Sequence, residues 1–173
     1  MADYTNATDS RRGVVIATEP FDDIAYFHLK KYNRDQNLPY VAVNLEEYPG
    51  FIQGAKNCEC VFSSLTEADH TWLLLLETKY CEVKNIERWA VSACRQMNTT
   101  LQKLKMLNLV DTSKKRIYFA YSVPGHDSEV PFGAFAFTQN DVLDFLEDEV
   151  YIYGYNTVLI ATPQYLFVPH TPI

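Results

Sequence analysis

The sequence predicts an α/β (α+β) domain with a central mixed β-sheet flanked by helices. Three stretches carry that expectation. Residues 72–76, Trp-Leu-Leu-Leu-Leu, are apolar on both faces of a strand, as in a strand covered on two sides. Apolar residues at 86, 89, 90, 93, 97, 101, 104 and 107 recur at spacings of three and four, the mark of one face of a long helix. Residues 117–123 alternate in Ile, Phe and Tyr-type side chains, which reads as another strand.

In chain order, residues 1–12 are polar and read as a loose start, with one globular domain over 13–173. Residues 13–17 are β-branched and read as a short strand. Thr18-Glu19-Pro20 is a helix-entry signal. Phe21, Ile24, Ala25, Phe27, His28 and Tyr32 follow at near-helical spacing, so a helix is expected over 21–32. Asp22 and Asp23 in its first turn and Lys30 and Lys31 near its end suit the helix dipole. Asn37-Leu38-Pro39 is a turn, residues 40–45 a strand, and Glu46-Glu47-Tyr48-Pro49-Gly50 breaks it.

Cys58-Glu59-Cys60-Val61-Phe62 and residues 72–80 are two apolar runs joined by a polar link, and read as a β-hairpin. The helix predicted by the longest periodic stretch covers 84–107. After residues 117–123, Pro124-Gly125-His126-Asp127 is a turn. Residues 132–137 read as an edge strand. Thr138 caps a helix over 139–149 that bears Asp144, Glu147, Asp148 and Glu149. Residues 151–155 are aromatic and offer a surface for a protein partner. Residues 156–161 and 164–168 are expected as short strands. The core is expected over about 21–123, with 124–173 as additions to it.

The hairpin carries charge where apolar strands should not. Side chains two apart on a strand share a face, so Glu77 and Lys79 are expected together, with Glu59 pointing away from both flanking cysteines. An ionised carboxylate is costly to bury unpaired. Two carboxylates, Glu59 and Glu77, brought to one place invite a divalent cation, and Lys79 would polarise or deprotonate a water there. Magnesium suits such a site, taking a few carboxylates and keeping several waters; manganese is the alternative. The plainer reading is a same-face Glu77–Lys79 pair at a strand end.

Glu77-Thr78-Lys79 after an upstream acid, followed by a long helix, resembles the PD-(D/E)XK nuclease superfamily. The resemblance spans residues 21–121. It implies a restriction-endonuclease-like αβββαβ core and magnesium-dependent phosphodiester hydrolysis in DNA or RNA. Glu59 and Glu77 would then be the metal ligands and Lys79 the water-positioning group. It also implies a supporting role for a Gln on the long helix, which Gln96 matches; a polar helix flank is the alternative. Where the family usually has Asp, this chain has Glu59, one methylene longer. An acid on the first helix is often added, for which Glu19, Asp22 and Asp23 are candidates. A non-catalytic interaction module on the same fold is the rival expectation, because a fold does not fix a function.

Composition narrows the classes. The net charge is −7, which argues against a broad non-specific nucleic-acid footprint and leaves room for a local one. Arg88, Arg95, Lys103, Lys105 and Lys114-Lys115-Arg116 form the densest basic stretch, which suits either a phosphate backbone or helix-dipole complementarity. Four cysteines are too few for a disulfide scaffold, lack zinc-site spacing, and read as small buried hydrophobes. His126 beside Asp127 has no Gly-x-Ser-x-Gly partner. With no apolar stretch of membrane-spanning length and no signal core, a soluble cytoplasmic protein is expected.

Overall fold

In the computed structural model, residues 14–17, 25–33, 35–45, 56–79, 81–123 and 150–168 are described. Their strands are β1 (Val14–Ala17), β2 (Ala25–Lys31), β3 (Tyr40–Asn44), β4 (Cys60–Ser64), β5 (Thr71–Thr78), β6 (Lys115–Ser122), β7 (Val150–Gly154), β8 (Thr157–Ile160) and β9 (Leu166–Phe167). A short 3-10 turn, Val83–Asn85, leads into the helix α1 (Ile86–Met106).

Two mixed sheets form. The larger runs β3-β4-β5-β6-β7 and the smaller β1-β2-β8-β9. In the larger sheet, β3, β4 and β5 are antiparallel neighbours, while β5, β6 and β7 are parallel. The parallel step from β5 to β6 needs a crossover, and α1 supplies it.

The four leucines of β5 show why that strand is apolar throughout. Leu73 and Leu75 pack with Ala93, Met97 and Leu101 of α1. Leu74 and Leu76 face the other way and pack with Phe27, Leu29, Val158 and Ile160 of the smaller sheet. A helix thus covers one face of the central strand and a second sheet covers the other. Each fully buried leucine contributes about 1.5–3 kcal/mol relative to exposure.

Helix α1 buries Ala90, Ala93, Met97, Leu101 and Leu104 of the expected stripe, leaves Trp89 exposed, and ends cleanly, with the exposed Leu107 just past it. Asn108 takes a left-handed φ of 54°. Its N–H reaches the Lys105 carbonyl, and the Leu109 N–H reaches that of Leu104. This pair of bonds is the Schellman arrangement, which satisfies carbonyls the helix leaves open. Asn tolerates the left-handed region better than most residues.

The helix expected over 21–32 is corrected: residues 25–31 are strand β2. Phe27 and Leu29, two apart, are both buried, while Lys30 is exposed. The same apolar residues satisfy a period of two as well as a helical one. Pairing on both edges, antiparallel to β1 and parallel to β8, decides for the strand. The second flanking layer is therefore a sheet, and the αβββαβ order begins here with a strand.

The C-terminal strands are integral to that layer. Strand β8 pairs with β2, and Val158 and Ile160 are fully buried. Residues 151–155, expected as an aromatic surface, mostly form β7, where Tyr118 stacks on Tyr151 with ring centroids 5.1 Å apart. The strand expected at 132–137, the helix at 139–149, the His126-Asp127 pair, and the acids Glu19, Asp22, Asp23, Glu46 and Glu47 lie outside the described residues. No helix among the described residues is long and apolar enough to cross a membrane.

Candidate functional site

The charged residues collect where β5 ends and α1 passes over it. Glu77 and Glu59 are each only 5% exposed. Glu77 and Lys79 share the helix-covered face: the Lys79 ammonium is ion-paired to Glu77 Oε1. The same ammonium donates to Gln96 Oε1 at 3.1 Å. Glu77 Oε2 accepts the backbone N–H of Glu59 at 3.0 Å. Three of the four residues picked from the sequence, Glu77, Lys79 and Gln96, therefore join through their side chains, and Glu59 joins them through its backbone.

The side chain of Glu59 goes elsewhere. Its Oε2 accepts the hydroxyl of Thr78. Thr78 alternates with Glu77 along β5, so it belongs to the face of Leu74 and Leu76, turned toward the smaller sheet. Cys58, the residue before Glu59, packs on the helix side. The chain bends at Glu59, and the two carboxylates take different partners: Thr78 for Glu59 and Lys79 for Glu77.

Helix α1 stitches this bend in place from one of its edges. Gln96 Nε2 donates to the Asn57 carbonyl at 3.2 Å. Thr100 Oγ1 accepts the Cys58 N–H at 2.8 Å and donates to the Gln96 carbonyl at 3.0 Å. Lys103 Nζ donates to Asn57 Oδ1 at 3.0 Å. Residues four and three apart on a helix lie along one edge, so Gln96, Thr100 and Lys103 meet successive groups of the segment entering β4. The sequence pattern singles out Lys103 only within the basic stretch and Thr78 only within Glu77-Thr78-Lys79, and gives Asn57 and Thr100 no role. The available signal was Thr100, a polar residue between Met97 and Leu101 in the apolar stripe.

Burial pushes the Cys58 thiol far above its usual range, and the nearby negative charges of Glu77 and Glu59 add to the effect. Tyr121, beside the helix entry, is likewise raised, first by burial and then by the neighbouring Cys81. Its hydroxyl donates to the Ile86 carbonyl at 3.2 Å. Both groups stay protonated at neutral pH. All four cysteines are free thiols, with Cys58, Cys60 and Cys94 buried.

The oxygen donors here are of the type magnesium prefers, but their placement does not suit a shared ion. Glu77 is engaged by Lys79 and by the Glu59 N–H, and the Glu59 carboxylate by the Thr78 hydroxyl. Among the described residues, no group of three or more His, Cys, Asp and Glu side chains is placed to hold a metal. No family model, curated protein or solved structure matches the chain. The resemblance to the PD-(D/E)XK superfamily thus stands on Glu77-Thr78-Lys79, the upstream Glu59 and Gln96.

Proposed function

We propose that this chain is a divergent, non-hydrolytic descendant of the PD-(D/E)XK nucleases that serves as a binding module. The observation carrying this reading is that the acids have separate partners: Glu77 takes the Lys79 ammonium and Glu59 takes the Thr78 hydroxyl. In place of an ion, the Lys79 ammonium neutralises Glu77. Gln96 orients that ammonium and ties it to the segment entering β4. A partly buried ion pair that is also hydrogen-bonded to its surroundings serves here to fix geometry more than to add stability.

Isothermal titration with magnesium and with manganese, paired with cleavage assays on single- and double-stranded DNA and RNA, tests the proposal. The expected result is no binding isotherm for either metal and no cleavage. Metal-dependent cleavage that disappears in Glu77→Gln and in Lys79→Ala would overturn it.

Hydrolysis is the second reading, favoured by the meeting of Glu77, Lys79 and Gln96 at one strand end. It requires the Glu59 side chain to leave Thr78 and turn to an ion shared with Glu77. Thr78→Val, which removes the hydroxyl that holds Glu59, would then raise cleavage rather than leave it absent.

A further inference from the structure

The edge of α1 that reaches Lys79 continues past it as an exposed surface of different chemistry. Residues seven apart on a helix lie within about 20° of one line, so Trp89 stands in line with Gln96, about 10 Å nearer the helix start. Trp89 is 40% exposed, although a side chain of this size usually has most of its surface covered. The Arg88 guanidinium lies 5.8 Å from the centroid of its ring. Arg95, one residue before Gln96, is exposed, as is Arg88. Neither arginine has a carboxylate partner among the described residues.

The charge of this edge runs against that of the chain. The chain carries −7 overall. Helix α1 has Arg88, Arg95, Lys103 and Lys105 against Glu87 alone. Glu87 lies roughly opposite the Trp89–Gln96 line on the helix. An aromatic face flanked by guanidinium groups is the combination that holds single-stranded nucleic acid, with a base stacked on the ring and phosphates on the arginines.

We infer that Arg88, Trp89 and Arg95 form a docking edge for a single nucleic-acid strand, leading toward Lys79 and Gln96. This names the partner of the binding module proposed above and rests on that reading. A duplex fits the edge less well, because its bases are stacked on each other and closed to Trp89. Stacking and phosphate contact do not by themselves distinguish DNA from RNA, since the 2′-hydroxyl is what separates the two.

The test is fluorescence anisotropy of labelled oligothymidylate and oligouridylate on the full chain, with EDTA present, together with tryptophan emission. Trp72 is 1% exposed, so strand binding quenches Trp89. Trp89→Ala is expected to weaken binding about 5- to 150-fold, the equivalent of one stacked base. Trp89→Phe keeps affinity within a few-fold and loses the quenching. Arg88→Ala combined with Arg95→Ala lowers the log–log salt slope by about 1.4, for two phosphates on a single strand. Equal affinity for both oligomers means phosphate and base stacking carry the contact; a preference for oligouridylate makes RNA the natural strand.

Unchanged affinity in Trp89→Ala and in the double arginine variant would overturn the inference, as would tighter binding to duplex that ignores both changes. The two proposals fail separately. Trp89-dependent binding together with metal-dependent cleavage keeps the docking edge and sinks the non-hydrolytic reading. Absence of binding to any oligomer sinks the edge and leaves that reading standing.

Discussion

Two lysines sit at opposite ends of the β5–β6 pair and are handled in opposite ways. At the exit of β5, the Lys79 ammonium meets a carboxylate, Glu77, and an amide oxygen, Gln96 Oε1. At the entry of β6, the Lys115 ammonium meets neutral oxygens only: Thr71 Oγ1 at 2.7 Å, Ser63 Oγ at 3.0 Å and the Ser64 carbonyl at 3.4 Å. The first cation answers a buried charge. The second has no counter-charge among the described residues, and burial pulls its pKa below the ordinary lysine value. A cation opposite a buried carboxylate is costly to delete, whereas one held by hydroxyls is close to dispensable.

The largest effect that tests this contrast is expected at Glu77. Glu77→Ala leaves the Lys79 ammonium without its carboxylate and removes the acceptor of the Glu59 N–H. Breaking a buried pair from one side costs about 3 kcal/mol or more, read as a fall in the urea midpoint. Glu77→Gln, which keeps an acceptor in place, should recover part of the loss. If Glu77→Ala is as stable as the parent protein, the pair is an ordinary surface contact.

The lysines themselves come next, and the signs should differ. Lys79→Met keeps the aliphatic stem but leaves the 5%-exposed Glu77 without its cation. A loss of about 2 kcal/mol is expected, discounted because Lys79 is partly solvated. Lys115→Met removes a desolvated cation from hydroxyls that can turn to other acceptors. Its stability should stay equal or rise by up to about 1 kcal/mol. Equal losses in the two variants, measured by the same denaturation, would break the comparison.

These two environments were unequally visible beforehand. Glu77-Thr78-Lys79 announces itself, because charge at the end of an all-leucine strand demands a partner, and Gln96 lies beside the apolar stripe. The direction of Glu59 was not legible. It depends on the bend before β4, which is set by bonds from Thr100 and Gln96, about forty residues away in sequence. The Lys115 site was hidden for a similar reason, since Ser63, Ser64 and Thr71 are brought together only by the register of β4, β5 and β6. At the level of elements, α1 could be read from its helical period, β5 from a short apolar run bounded by polar residues, and β6 from its β-type side chains. Residues 25–31 fit two periods, and their pairing with β1 and β8, invisible in a local window, settled the matter.

The smallest expected effect is on pH dependence, and it isolates Lys115. Its pKa is lowered from 10.5 in the folded chain by burial. Between that lowered value and 10.5, the unfolded chain binds more protons than the folded one, so this group makes stability rise with pH. Below the window both states are charged, and above it both are neutral. Tyr153 acts in the other direction: burial pushes its phenol up from 10.0 to about 12. The folded chain then keeps a proton that the unfolded one releases, and stability falls across that interval. The alkaline limb of the parent protein mixes these opposing slopes, so only differences are informative. The stability of the parent minus that of Lys115→Met should climb as pH approaches 10.5 from below. The parent minus Tyr153→Phe should decline between about 10 and 12. A Lys115 difference that stays flat with pH would mean that its ammonium is solvated after all, and the contrast with Lys79 would reduce to one of partners without one of burial.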